Sequence, residues 1–253
     1  MANGIKYFVG NWKMFGIPTS FKIFEKINKF YISNKKNNKN YKIIIAPPFT
    51  LLSQFKEKNK MNKISISAQN CFFKDNYGSF TGSISPFMIK KIGIDHVIIG
   101  HSENRALGEN EKIISEKVSL ALKNKLTIIF CIGENLKDKK AKKTFSFLKK
   151  QISSAINANY DFKKILFAYE PIWSIGSGKV PNAKDLKKIV NFLKNYLRNK
   201  FKLKFNPYVL YGGSVDKKSV KNFKTINDLD GFLIGGASKS SKNFIDIIKN
   251  FYK

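Results

Sequence analysis

Eight short apolar runs recur along the chain, and stretches with a different polar pattern separate most of them. They read "YFVG" from Tyr7, "IIIA" from Ile43, "ISISA" from Ile64, "HVIIG" from His96, "TIIFCIG" from Thr127, "ILFAYE" from Ile165, "PYVLYGG" from Pro207 and "GFLIGG" from Gly231. Runs this rich in Ile, Val and Phe have the composition of parallel strands buried on both faces. Between them, "EKIISEKVSLALKN" (Glu111 to Asn124) and "AKDLKKIVNFLKNYL" (Ala183 to Leu197) are amphipathic, the pattern of helices with one buried face. Eight such strands in a chain of 253 residues predict a single (β/α)8 TIM barrel domain over residues 1–253. That fold typically takes about 250 residues. A doubly wound open sheet is the other architecture that this alternation allows.

One connection departs from the rhythm. Asn70 to Ser85, "NCFFKDNYGSFTGSIS", follows the third run as a long polar and aromatic segment. Loops beyond roughly 12–15 residues are uncommon and tend to be functional. Its Phe and Tyr residues and few charges predict a loop, about 70–85, that packs against something rather than staying disordered.

Charge changes the picture less than its size suggests. Lys and Arg total 47 against 17 Asp and Glu, a formal net charge of +30. Such an excess suits nucleic acid or an anionic surface. Yet only Arg105 and Arg198 are arginine, and the lysines are scattered, with modest clusters at "NKKNNKN" and "KDKKAKK". The accompanying Asn, Ile, Phe and Tyr share A- and T-rich codons, so coding bias yields this composition without any partner. Scattered lysine reads as solvated surface, and no specific nucleic-acid partner is expected. A basic protein that adheres weakly and salt-sensitively to nucleic acid is the reading left to charge. The short, interrupted apolar runs argue against a membrane span, and "MANGIKYFVGNWK" lacks the features of a signal peptide. Cys71 and Cys131 have neither metal-ligand nor redox spacing, so no metal is expected and a reduced, cytoplasmic setting fits best.

The chemistry collects where the runs end, which in a barrel of this kind is the rim that carries active sites. The first ends in "GNWKM", with Asn11 and Lys13, and the fourth in "GHSENR", with His101 and Glu103. The sixth stops at Glu170, ahead of a proline and the glycine-rich "SIGSG"; the seventh and eighth lead into "GGSV" and "GGAS". A carboxylate at the end of an apolar run is costly unless paired, solvated or used. Singly, a lysine is usually surface charge, a histidine a satisfied core residue and a glycine pair a turn. On one rim these bland readings lose force together. Gly212-Gly213-Ser214 and Gly235-Gly236 remove side chains where backbone N–H groups must approach a ligand, each ahead of a predicted helix start, and so suit phosphate. Lys13 supplies positive charge, His101 a donor and Glu170 a base, with residues 171–181 as a mobile lid. That set suits removal of a proton beside a carbonyl and stabilisation of the resulting enediolate.

Eight motifs, in order, resemble those of the triosephosphate isomerase family: "GNWKM", "SAQNC", "GSFTG", "IGHSE", "CIGE", "YEPIWSIGSGK", "YGGSV" and "GFLIGGAS". The resemblance runs essentially from end to end, and eight ordered motifs are far more specific than one. It implies an isomerase that interconverts dihydroxyacetone phosphate and D-glyceraldehyde 3-phosphate without cofactor. Glu170 would move the proton, His101 act as a neutral electrophile at a helix N-terminus, and Lys13 and Asn11 hold the substrate oxygens. Gly176, Ser214, Gly235 and Gly236 would bind phosphate, and Glu103 would position Lys13. Ile175 and Leu233 would keep water from Glu170. The resemblance also implies a homodimer in which loop 70–85 enters the partner, with Thr81 near the partner subunit's Asn11. Four departures bear on that contact and on the lid. Phe15 stands where a small polar residue is usual, Asn104 replaces the first arginine of "HSERR", Ser83 replaces the glutamate of "FTGE", and the lid leaves through "KVP". A barrel acting on another sugar or indole phosphate would share the glycine turns but not Lys13, His101 and Glu170.

Overall fold

The computed structural model describes residues 4–34, 40–59 and 63–253, so most of the "NKKNNKN" cluster lies outside the described residues. Each apolar run marks one strand: β1 (Lys6–Asn11), β2 (Tyr41–Ala46), β3 (Ser65–Ala68), β4 (His96–Ile99), β5 (Thr127–Ile132), β6 (Ile165–Tyr169), β7 (Tyr208–Tyr211) and β8 (Gly231–Ile234). Neighbours in sequence pair in parallel, and β8 returns to β1, with Val9 opposite Leu233, to close the barrel. The open-sheet alternative is thereby excluded. Closure depends on Gly231. Its φ is +139°, and a Cβ there would stand 1.9 Å from the Tyr7 carbonyl oxygen, so only glycine lets the two edges meet.

The helices follow as α1 (Phe21–Asn34), α2 (Phe49–Lys58), α3 (Pro86–Lys91), α4 (Ser102–Ala106), α5 (Glu111–Lys123), α6 (Leu136–Lys140), α7 (Thr144–Ala155), α8 (Ala183–Phe201), α9 (Ser219–Asn222) and α10 (Ser241–Tyr252). The strands do alternate, but both of their faces are apolar. Val9, Ile44, Ile98, Ile129 and Leu166 fill the barrel, while Phe8, Ile43, Val97, Phe130 and Phe167 pack outward on the helices. No helix among the described residues is long and apolar enough to cross a membrane.

Two expectations about helices need correction. The helix predicted over Ala183 to Leu197 continues to Phe201 and ends at Lys202, whose φ of 52° is left-handed. The helix expected directly after "GGSV" starts later, at Ser219. Asp216 intervenes: its Oδ1 accepts from the N–H groups of Lys218 and Ser219, forming a turn before the helix can begin. After Gly235 comes one short 3-10 turn, Gly236–Lys239, and then α10.

Loop 70–85 packs on itself, on α3 and on the end of α5, where Asn124 Nδ2 donates to Asp75 Oδ1 at 2.9 Å. The Phe72 N–H donates to Ile84 O at 2.8 Å. The Phe72 ring lies 4.4 Å from Phe73 and 5.0 Å from Phe80, and Tyr77 meets Phe87 of α3 at 5.5 Å.

Candidate active site

Glu170 is the first residue past β6, and the strand ends around it fix its backbone. Its N–H donates to Ile132 O at 2.7 Å. On the same side Gly133 approaches so closely that a Cβ there would fall 1.8 Å from Glu170 O. Its carboxylate is buried, 2% exposed, with Oε2 3.4 Å from the Ser102 N–H and Oε1 3.3 Å from His101 Nε2. Gly212 leaves the space this side chain occupies, since a Cβ there would stand 2.7 Å from Glu170 Cγ. Burial pushes the carboxyl above its ordinary range, a rise opposed by the neighbouring His101, by the Ser102 N–H and by the Lys13 charge. The neighbouring Cys131 thiol is pushed well up, by burial first and then by the Glu170 charge.

His101 caps α4, and its Nδ1 accepts from the Glu103 N–H at 3.2 Å. An imidazole nitrogen that accepts a hydrogen bond carries no proton, so the ring is the neutral tautomer with its hydrogen on Nε2, facing Glu170. Glu103 Oε2 lies 3.7 Å from the same Nδ1, too far to compete.

Lys13 reaches the rim through a left-handed backbone, φ 56°. Its N–H donates to Asn11 Oδ1 at 3.0 Å, and Gln69 Nε2 donates to its carbonyl at 2.8 Å. Its ammonium meets Glu103 Oε1 at 2.6 Å. Desolvation raises the Glu103 carboxyl, but the Lys13 hydrogen bond, the neighbouring His101 and the Lys13 charge leave it below the ordinary value.

Asn11, Lys13, His101 and Glu170 line one cavity of about 330 Å³. The other side of that cavity holds Ile175 and Gly176 of the segment expected to act as a lid, Ser214, Leu233, Gly235 and Gly236. Every residue expected to touch substrate or shield the base is therefore at this one place. Glu103 stands behind Lys13. The residues expected at a subunit contact lie elsewhere: Thr81 is exposed on loop 70–85, and Ser83 and Asn104 are half-buried. Phe15 turns inward on the ring of Trp12, at 5.9 Å, so much of its apolar surface is spent inside its own chain. Among the described residues, no group of three or more His, Cys, Asp or Glu is placed to hold a metal ion.

The segment 171–181, expected to act as a lid, is tied down at both ends. At its entry the Trp173 indole N–H donates to Glu134 Oε1 at 3.0 Å, the Tyr169 hydroxyl to the same oxygen at 3.1 Å, and the Ile172 N–H to Glu134 O at 3.0 Å. Burial raises the Glu134 carboxyl, and the Trp173 and Tyr169 hydrogen bonds act against that rise. Farther along, Ser174 Oγ donates to Lys179 O at 2.5 Å and lies 3.0 Å from the Tyr211 hydroxyl. Ser214, expected at the phosphate, gives its hydroxyl to Ser174 O at 2.5 Å. Between these anchors Gly176 and Gly178 are exposed with left-handed φ of 66° and 70°. Gln69, Glu134 and Ser174 are structural supports that the sequence reading passes over, and Gly212, expected there only as part of a phosphate turn, also makes room for Glu170. All four sit in or beside motifs it singled out, "SAQNC", "YGGSV", "CIGE" and "YEPIWSIGSGK".

With this geometry in place, the comparisons with known proteins agree. The sequence model of the triosephosphate isomerase family matches residues 6–251. A triosephosphate isomerase of Geotalea uraniireducens is 37% identical over 245 residues, 95% of this chain and 96% of that protein. One of Yarrowia lipolytica is 38% identical over 248 residues, 96% of this chain and 98% of that protein. The crystal structure of triosephosphate isomerase from Bartonella henselae superposes with a TM-score of 0.88 at 32% identity, covering 98% of this chain and 99% of that one. Barrel, rim and sequence likeness all run the length of the molecule, and the chain belongs to the triosephosphate isomerase family.

Proposed function

We propose that the cavity at the barrel rim carries out this family's interconversion of dihydroxyacetone phosphate and D-glyceraldehyde 3-phosphate with Glu170 as its base. The observation that carries this assignment is the pairing of a buried carboxylate with a neutral imidazole whose Nε2–H faces it at 3.3 Å. Glu170 takes a proton from the carbon beside the carbonyl, and its burial makes it a stronger base than a solvated carboxylate. The electron pair moves onto the carbonyl oxygen. His101 Nε2–H and the Lys13 ammonium stabilise the enediolate, with Asn11 beside them. The former carbonyl oxygen gains a proton and the neighbouring hydroxyl oxygen gives one up, with His101 Nε2–H placed to relay it. Glu170 returns its own proton to the adjacent carbon as the second oxygen becomes the new carbonyl, so the reaction needs no cofactor.

The backbone N–H groups at Gly235, Gly236, Ser214 and Gly176 suit the phosphate, and Ile175 and Leu233 suit the exclusion of water from the base. Glu103 suits the positioning of Lys13. We read the whole of residues 1–253 as one barrel domain, with loop 70–85 as a dimer contact and 171–181 as the lid, working in the cytoplasm. A coupled assay of purified protein, run from each triose phosphate, tests the assignment. Turnover in both directions is expected, and no turnover in either would overturn it.

A further inference from the structure

The lid's tryptophan is gripped from two directions. Its N–H edge donates to Glu134 at 3.0 Å, and its face carries the Lys139 ammonium, 3.2 Å from a ring centroid. Both partners come from one stretch of chain. Glu134 is followed directly by Asn135, the N-cap of α6, whose Oδ1 accepts from the Asp138 N–H at 2.9 Å and starts the helical turn that carries Lys139. In the sequence Lys139 is one member of "KDKKAKK", a cluster that reads as solvated charge.

We propose that Lys139 is a positioning residue for the lid: its ammonium on the face of Trp173 keeps the indole N–H on Glu134 and so holds the lid's entry in register with Ile175 and Gly176 at the cavity wall. The attraction of a cation for the negative face of an indole supplies the force, and indole is the best of the aromatic partners. Among the described residues Lys139 forms no ion pair that would draw it elsewhere. Its charge also favours the ionised form of Glu134, the better acceptor for the indole N–H, so both effects act in the same direction. Glu134 holds the edge and Lys139 the face, and together they restrict both tilt and slide of the ring.

This inference rests on residues 171–181 being the lid, and its test separates the two readings. The chain has two tryptophans, Trp12 and Trp173, so 5-fluorotryptophan labelling gives two fluorine resonances. Lys139→Met keeps the aliphatic stem and removes the charge, whereas Lys139→Arg keeps a cation. In Lys139→Met the Trp173 resonance should shift and broaden while that of Trp12 stays. KM for dihydroxyacetone phosphate should rise roughly two- to fivefold, the scale of an exposed cation–π contact, with kcat changing less. Lys139→Arg should restore both readouts. A native Trp173 resonance in Lys139→Met overturns the proposal, as does a lowered melting temperature with unchanged KM, or failure of Lys139→Arg to rescue KM. Loss of isomerase activity in the native protein would instead sink the functional reading, and the Trp173 resonance would still report the grip.

Discussion

Glu170 is held where its charge is costly, and that cost has measurable signs. Glu170→Asp keeps the carboxylate but withdraws it by one methylene, and a misplacement near 1 Å can cost on the order of 100-fold in rate. Turnover by that variant should fall on this scale while KM changes far less; near-native kcat would remove Glu170 as the base. Gly212→Ala attacks the same geometry from the other side. Its Cβ would meet Glu170 Cγ, a mid-chain atom, at 2.7 Å. A fall of about tenfold or more in kcat, with little change in far-ultraviolet circular dichroism, is expected from the displaced carboxylate. The third sign is in stability. Burial raises the folded-state pKa of Glu170 above its ordinary 4.5. Its contribution to stability is therefore fully present below that value and is lost as pH rises through the folded pKa. Glu170→Gln removes the titration, so its stability relative to the native protein should climb from pH 4 to pH 8, by ~1.4 kcal/mol for each unit of elevation. Urea unfolding at both pH values measures the difference, and a gap that stays constant or closes contradicts it. At this scale the sequence exposes residues by their type, such as Glu170 at the end of an apolar run. It does not expose Gly212 as the space beside that side chain, nor Gln69 as the donor to a strained Lys13 carbonyl. Those roles exist only through contacts between distant segments.

Among the elements, all eight strands were legible because burial on both faces leaves an apolar run in each, although β1 and β2 begin ahead of their runs, at Lys6 and Tyr41. The hidden part was how the seventh strand hands over to its helix. The turn made by Asp216 delays α9 to Ser219, and an acidic residue three positions ahead of a helix does not declare which N–H groups it will accept. The segment expected as a lid shows in the sequence as a glycine-rich break, and the hydrogen bonds that hold it do not, since Ser174 acts through Lys179, Tyr211 and Ser214. Pro181 makes the lid's exit testable. It is buried and lies directly before Asn182, the N-cap of α8, whose side chain accepts from the Asp185 N–H at 2.8 Å. Proline fixes its own φ and biases Val180 toward extended conformations, so the hinge is stiff. Pro181→Ala should therefore speed lid opening or disorder residues 175–180. Relaxation dispersion on the two proteins measures this, and identical profiles would count against a stiffened hinge.

On the scale of the whole molecule, the net charge and the subunit contact meet in one argument. Met14, Tyr77, Phe80 and Leu107 are 99%, 80%, 45% and 86% exposed, on the loops after β1 and β3 and at the end of α4, apolar surface that a partner could bury. A second copy of the chain would cover it, with loop 70–85 inserted and Thr81 approaching the partner subunit's Asn11. Ser83 and Asn104 stand where the family's resemblance places a glutamate and an arginine, so no salt bridge should link these positions across the contact. Replacing only one member would have left a charge buried without its partner, at roughly 3–5 kcal/mol; replacing both avoids that penalty. A neutral serine–asparagine contact is worth about 1 kcal/mol if it keeps one hydrogen bond. Phe15 contributes less than its size suggests, because its ring already packs on Trp12. Against this apolar attraction stands repulsion between two subunits of formal charge +30 each. Salt near 0.15 M reduces the screening length to about 8 Å and weakens that repulsion while leaving apolar burial intact. The homodimer should therefore tighten as salt rises from low to physiological strength, the reverse of an interface held by ion pairs. Sedimentation velocity at a series of salt concentrations decides the matter: a chain that stays monomeric throughout, or a dimer that loosens as salt is added, refutes this account of the contact.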